Sequence, residues 1–233
     1  MHWSGMLLNQ ADALASGSRN DRQAFDPPRA HGLTARADEH LQQTIAVQEL
    51  AARQCVPALV KAAKVIADAF TAGHQLLLCG NGGSAADCQH VAAEFVSRLR
   101  ADLERPGLPA IALTTDTSFL TAFTNDCGYN RVFARQVEAL GHGGDVLLAI
   151  STSGRSLNIA EAISAANARG LWTIGLFGEG AGLATEVDVP ILIPSRNTQL
   201  VQECMLSVEH TICELVEESL FGELRGSVQQ VHP

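Results

Sequence analysis

Leu76-Leu77-Leu78-Cys79-Gly80-Asn81-Gly82-Gly83-Ser84 is an apolar run that breaks on a polar, glycine-rich turn, after which the chain resumes in a helical rhythm carrying His90 and Glu94. A strand, a tight turn and a helix in that order aim the first backbone N–H groups of the helix, with a hydroxyl beside them, at one point. Anions bind at such points. The alternation continues downstream. Apolar runs at 75–79, 109–113, 145–150, 172–177 and 187–193 read as strands, and stretches at 84–101, 130–140, 157–169 and 198–220 read as helices. Strands apolar along their whole length, alternating with helices, predict a parallel sheet covered on both faces. With right-handed crossovers the fold class is α/β, a three-layer α/β/α sandwich on a five-stranded parallel sheet.

Upstream, residues 35–72 have helical periodicity: Leu41, Ile45, Leu50 and Ala51, then Val56, Leu59, Val60, Ala63, Val65, Ile66 and Phe70, with Pro57 suited to a first helical turn. This N-terminal helical hairpin holds more apolar surface than one small domain needs, and its spare face is either core or subunit interface. Residues 1–34 show no sustained periodicity and include Pro27-Pro28, so they read as a flexible extension. The domain is expected over 35–221, with a tail over 222–233.

The chain has 233 residues, 46% of them hydrophobic, which is enough for one domain with a sizeable core. A net charge of −9 argues against nucleic acid as a partner. Six cysteines (Cys55, Cys79, Cys88, Cys127, Cys204 and Cys213) are scattered without a CxxC pair, as expected of reduced thiols in a cytoplasmic protein. No apolar run reaches membrane-spanning length, and the N-terminus lacks the pattern of a signal peptide.

In parallel sheets ligands sit beyond the carboxyl ends of the strands. Two polar turns fall there: the one from Gly80 to Ser84, and Ser151-Thr152-Ser153-Gly154-Arg155-Ser156 before a helix starting near Leu157. Four hydroxyls plus the N–H groups of a helix N-terminus make a neutral cradle for a phosphoryl group. Neither a Walker pattern nor GxGxxG is present, which points to a monophosphate. Singly, such a turn is better explained by turn residues and an N-cap. Two in corresponding positions favour phosphate.

His90 and Glu94 stand four apart, on one helix face, and fit either a metal or a base with its orienting partner. A surface Glu94 paired with Arg98, four residues further on, is the competing explanation. In the last helix, Val201, Cys204, Met205, Val208, Ile212, Leu215 and Val216 form a buried stripe that leaves His210 on the opposite, mixed side near Leu206 and Cys213. Such a side is expected where another subunit packs, which would place His210 in a site shared between chains. Gln202 precedes His210 by a rise of about 12 Å and about 80° of rotation. A common metal would need bent side chains, a non-helical first turn or two subunits.

The CGNGGS turn, AIALTTD, TNDCGYN, the ISTSGRS turn and LVQECMLSVEH occur in the order found in the sugar isomerase (SIS) domain, and the chain resembles its phosphoheptose (sedoheptulose 7-phosphate) isomerase branch over roughly residues 36–221. The resemblance implies a flavodoxin- or Rossmann-like sheet, a homotetramer and enediolate isomerisation of sedoheptulose 7-phosphate to D-glycero-D-manno-heptose 7-phosphate. It implies one zinc held by His90, Glu94, Gln202 and His210, with Glu94 as base and His210 as acid. Substrate contacts implied are Asn81, Gly82, Gly83, Ser84, Asp126, Ser151, Thr152, Ser153, Ser156 and Gln202. Asp126 fits a turn equally well. Many relatives have Arg-Ile-Gln-Glu and a second His where this chain has Leu200-Val201-Gln202-Glu203 and Met205, which bears on substrate preference. Two alternatives remain. One is a phosphosugar-binding regulator like the tetrameric factor that binds the bacterial replication initiator, in which the C-terminal histidine is replaced. The other is an isomerase of another phosphosugar.

Overall fold

The computed structural model describes residues 27–228. Helix α1 runs Pro27–Gln54, and α2 follows at Val56–Thr71 after a single-residue break at Cys55. The extension expected over 1–34 lies outside the described residues up to 26. From Pro27 the chain is already helical, which moves that boundary forward: a proline costs least at a helix start, where its missing N–H would have had no partner. The chain divides between Gln42 and Gln43 into two units. Within 32–42 every side chain is exposed except the half-buried His40, and Arg36 pairs with Glu39 one turn on. The remainder of α1 buries Val47 and Ala51. Pro57 stands in the first turn of α2, as expected.

The sheet comprises β1 (Leu76–Gly80), β2 (Ala110–Ala112), β3 (Val146–Ser151), β4 (Trp172–Gly178) and β5 (Val189–Ile193) in the order β2-β1-β3-β4-β5, all parallel. The five helices after β1 are α3 (Gly83–Val96), α4 (Thr117–Cys127), α5 (Val132–Leu140), α6 (Leu157–Ala168) and α7 (Thr198–Val228). Side chains alternate across the sheet with the period of two. Leu76, Leu78, Val146, Leu148 and Ile150 pack with α2, α3 and α7, whereas Leu77, Cys79, Leu147 and Ala149 pack with α5 and α6. The three-layer sandwich expected from the alternating pattern is therefore the observed fold. α7 runs on to Val228, beyond the tail boundary expected at 222.

Two further boundaries differ from the sequence expectation, and one helix lies outside it. α3 ends at Val96 and not near 101, with Ser97 as its C-cap. β2 is only Ala110–Ala112, a short edge strand. α4 was not anticipated: none of its residues is buried, so it carries little periodicity, and its one local signal is Asp116, whose carboxylate caps the helix by accepting from Phe119 N at 3.0 Å.

Strand order reverses between the neighbouring strands β1 and β3. At this switch point the connections leave in opposite directions and open a crevice at the carboxyl ends. Both polar turns stand there, one after each of these strands.

Candidate active site

After β1 the chain turns through Gly80 and Gly82 into α3, whose N-cap is Gly82 at φ 57° and whose second residue, Ser84, is buried. After β3 the second turn is held from behind. Ser151 Oγ accepts from Gly154 N at 3.2 Å, and Thr152 O accepts from Gly178 N of β4 at 3.2 Å. Ser156 is the N-cap of α6 but makes no side-chain capping bond, so its hydroxyl is not spent on the helix as the simple capping explanation requires. Thr152 is half-buried and Ser153 exposed at the crevice.

A polar lock joins the two turns. Asn81 and Asn158 exchange amide hydrogen bonds in both directions at 2.9 Å, and Tyr129 OH donates to Asn81 Oδ1 at 2.9 Å. Asn158 is buried in the first turn of α6, so the first turn is fastened to the helix that follows the second. Asp126 lies at the end of α4, exposed, and accepts from Asn125 Nδ2 at 2.8 Å. This segment meets the first turn through Tyr129.

Farther along α3, His90 Nε2 and His210 Nε2 are 2.7 Å apart, and Glu94 Oε1 lies 3.7 Å from His90 Nε2. All three belong to one chain, which corrects the expectation that His210 comes from a neighbouring copy. The side of α7 opposite the anticipated stripe packs on α3, with Glu209 and Cys213 buried there, so it faces the first turn's own helix. Arg98, the competing partner for Glu94, lies beyond the end of α3 and is exposed, so the four-residue spacing that would have paired them does not operate.

His90, Glu94 and His210 each offer a ligand atom within 4.8 Å of the others. Tetrahedral zinc with bonds of about 2.0–2.1 Å sets its donors about 3.3 Å apart. The observed 2.7 and 3.7 Å bracket that value, and two imidazoles with a carboxylate are the donor chemistry zinc prefers, so the group fits the ion. Gln202 is close by but turned aside. Its Nε2 donates to Asp87 Oδ2, while its Oε1 would lie 3.0 Å from a Cβ placed on Gly83. It therefore touches the first turn, as a substrate contact there would. Burial pushes the Asp87 carboxyl up, opposed by the Gln202 hydrogen bond and then by the charge of His90.

A groove of about 470 Å³ lies elsewhere, lined by Lys61, Lys64, Asp68, His74, Gly144 and Trp172. Those last three residues precede or open β1, β3 and β4, so it sits at the amino ends of the strands, away from the crevice.

A family model described as the SIS domain matches residues 39–178. The phosphoheptose isomerase of Roseiflexus sp. (strain RS-1) is 51% identical over 186 residues, 79% of this chain and 93% of that protein. That of Trichlorobacter lovleyi is 48% identical over 190 residues, 81% and 95% of the two chains. The chain belongs to the phosphoheptose isomerase family of SIS-domain proteins. Among solved structures, the phosphoheptose isomerase from Neisseria gonorrhoeae superposes with a TM-score of 0.75 at 39% identity over 80% of this chain and 99% of its own. That from Francisella tularensis gives 0.76 at 33% identity over 79% and 98%.

Within this family member, the positions that depart from the resemblance are core: Leu200 and Met205 are buried, so neither reaches the crevice. Three polar residues at the site had not been singled out in the sequence. Asp87 lies one turn before His90 and could have been found from that spacing. Asn158 and Tyr129 could not, because their partner Asn81 is far away in sequence.

Proposed function

We propose that the chain interconverts sedoheptulose 7-phosphate and D-glycero-D-manno-heptose 7-phosphate. The observation that carries this is the meeting of Glu94 with His90 and His210 beside α3, the helix that starts at the first of the two hydroxyl-rich turns. Ser84, Ser151, Thr152, Ser153 and Ser156 hold the phosphate with the N–H groups of α3 and α6. Asn81 and Asp126 meet the sugar hydroxyls, with Gly82, Gly83 and Gln202 along the same wall. Glu94 takes a proton from C1 of the ketose, and the C1–C2 double bond forms as the C2 carbonyl electrons pass to oxygen. His210 gives a proton to that oxygen and accepts the one on O1, so the carbonyl reforms at C1. The Glu94 carboxyl exchanges its proton with solvent and then protonates C2.

The metal we assign to His90, Glu94 and His210 is zinc, with Gln202 joining by turning from Asp87. Bound there, it supplies polarisation of the two substrate oxygens. The assembly we propose is a homotetramer. Ile45, Val56, Val60 and Leu206 are exposed apolar residues, and Leu206 lies one turn before His210, so a covering copy borders the site. Among the described residues no helix is long and apolar enough to cross a membrane, and we place the enzyme in the cytoplasm.

Glu94→Gln and His210→Asn test the proton roles. Each is expected to lower kcat by at least about 10²-fold with the fold retained, as loss of a general acid or base does. Near-normal turnover in either variant would sink the assignment.

A further inference from the structure

Arg105 and Glu217 form an ion pair sealed from solvent, their side chains 0% and 1% exposed, with Arg105 Nε donating to Glu217 Oε1 at 2.8 Å. The proton chemistry above uses neither. The guanidinium's other donors are aimed at the end of α3. Nη2 donates to the backbone carbonyl of Glu94 at 2.8 Å and Nη1 to that of Phe95 at 2.9 Å. These carbonyls lie in the last turn, where no further helical amide follows. A cation there also meets the negative end of the helix dipole. The surrounding loop is built to hold it. Leu108 N donates to Phe95 O at 3.0 Å, Nη1 also reaches Pro106 O at 3.0 Å, and Gly107 passes so close that a Cβ would stand 2.8 Å from Val96 O.

Glu217 anchors the other side. Its Oε1 also accepts from Leu99 N at 3.1 Å, and it lies on α7 seven residues, about two turns, after His210, on the same face. Arg105 thus grips Glu94 by its own backbone and grips α7 two turns beyond His210.

We propose that the Arg105–Glu217 pair is a positioning device that sets where Glu94 stands relative to His210. Stability alone gives little reason for it. A buried ion pair is often no more stabilising than apolar residues of similar volume, because both charges must leave water. An apolar pair, however, cannot bind two helix carbonyls and a neighbouring helix at once. The inference rests on the proposed isomerase chemistry for its kinetic readout, and on the donor group His90, Glu94 and His210 for a second, independent one.

The double variant Arg105→Met/Glu217→Leu removes both charges together and leaves neither buried alone. We expect it to fold with a melting temperature close to that of the parent. Its kcat should fall about 10²-fold, as misplacement of a reacting group by about 1 Å does. KM should stay within about threefold, since the phosphate turns are untouched. Cobalt(II), used as a spectroscopic probe of the donor group, should bind at least about 10-fold more weakly. Arg105→Lys keeps the charge without the fork, and should show the same split between kcat and KM to a smaller degree; it decides the matter if the double variant does not fold. A folded variant with parental kcat and parental cobalt affinity would overturn the inference. A parent that does not turn over sedoheptulose 7-phosphate would overturn the proposed function instead, and the cobalt comparison would then decide the inference.

Discussion

Glu209 stands one residue before His210 with both carboxyl oxygens buried and without hydrogen-bond partners among the described residues. Burial, and then the charge of Asp87, push its carboxyl from 4.5 up to about 8. Cys88 and Cys213, whose thiols burial also pushes up, face the same interior point. Between about pH 4.5 and 8 the folded chain therefore keeps a proton that the unfolded chain releases. The stability this gives is complete below the lower value and is lost as pH rises through the upper one. Glu209→Gln, isosteric and neutral, should remove that dependence. Melting curves of the two proteins are expected to converge near pH 4.5 and separate toward pH 9, with the variant the more stable; curves offset equally at every pH would contradict this. For the donor group, purified protein should contain zinc in about equimolar amount, and His90→Ala should lose it. Metal analysis finding none, with activity indifferent to a chelator, would remove zinc from the mechanism.

Among the elements, the second turn depends on one backbone conformation. Gly154 has φ 55°, and a Cβ there would stand 2.2 Å from the Cβ of Ala181. Gly154→Ala should displace the hydroxyls of Ser151 to Ser156 and raise KM about 10-fold or more, with a smaller change in kcat. An unchanged KM would mean that this turn does not hold the phosphate. The strand and helix pattern was readable because β1, β3 and β4 are almost wholly buried and hence apolar along their length. α4 escaped notice for the opposite reason. It rests on the surface, and its capping Asp116 gives one local signal without a periodic one to support it.

In the whole molecule, both turns and the His90–Glu94 face were readable from sequence, because each is local to a strand end or to one helix. The placement of His210 was not. A 3.6-residue period says which residues of α7 share a face, but not whether a neighbouring helix or a second copy covers it. The same limit hid the lock between Asn81, Asn158 and Tyr129. For the proposed tetramer, Ile45→Asp with Leu206→Asp should move the protein to smaller species by light scattering after size exclusion, since each substitution places a charge on an exposed apolar face. A species unchanged from the parent would mean that this face is not the interface. Central to the whole scheme is that Glu94 takes a proton from one carbon of a phosphosugar and, after exchange with solvent, protonates the next. The direct measurement is NMR of sedoheptulose 7-phosphate incubated with the purified protein in deuterium oxide. Deuterium appearing at C2 of the heptose product, the carbon next to its carbonyl, is the expected result. Conversion with no solvent deuterium at that carbon, or no conversion at all, would contradict it.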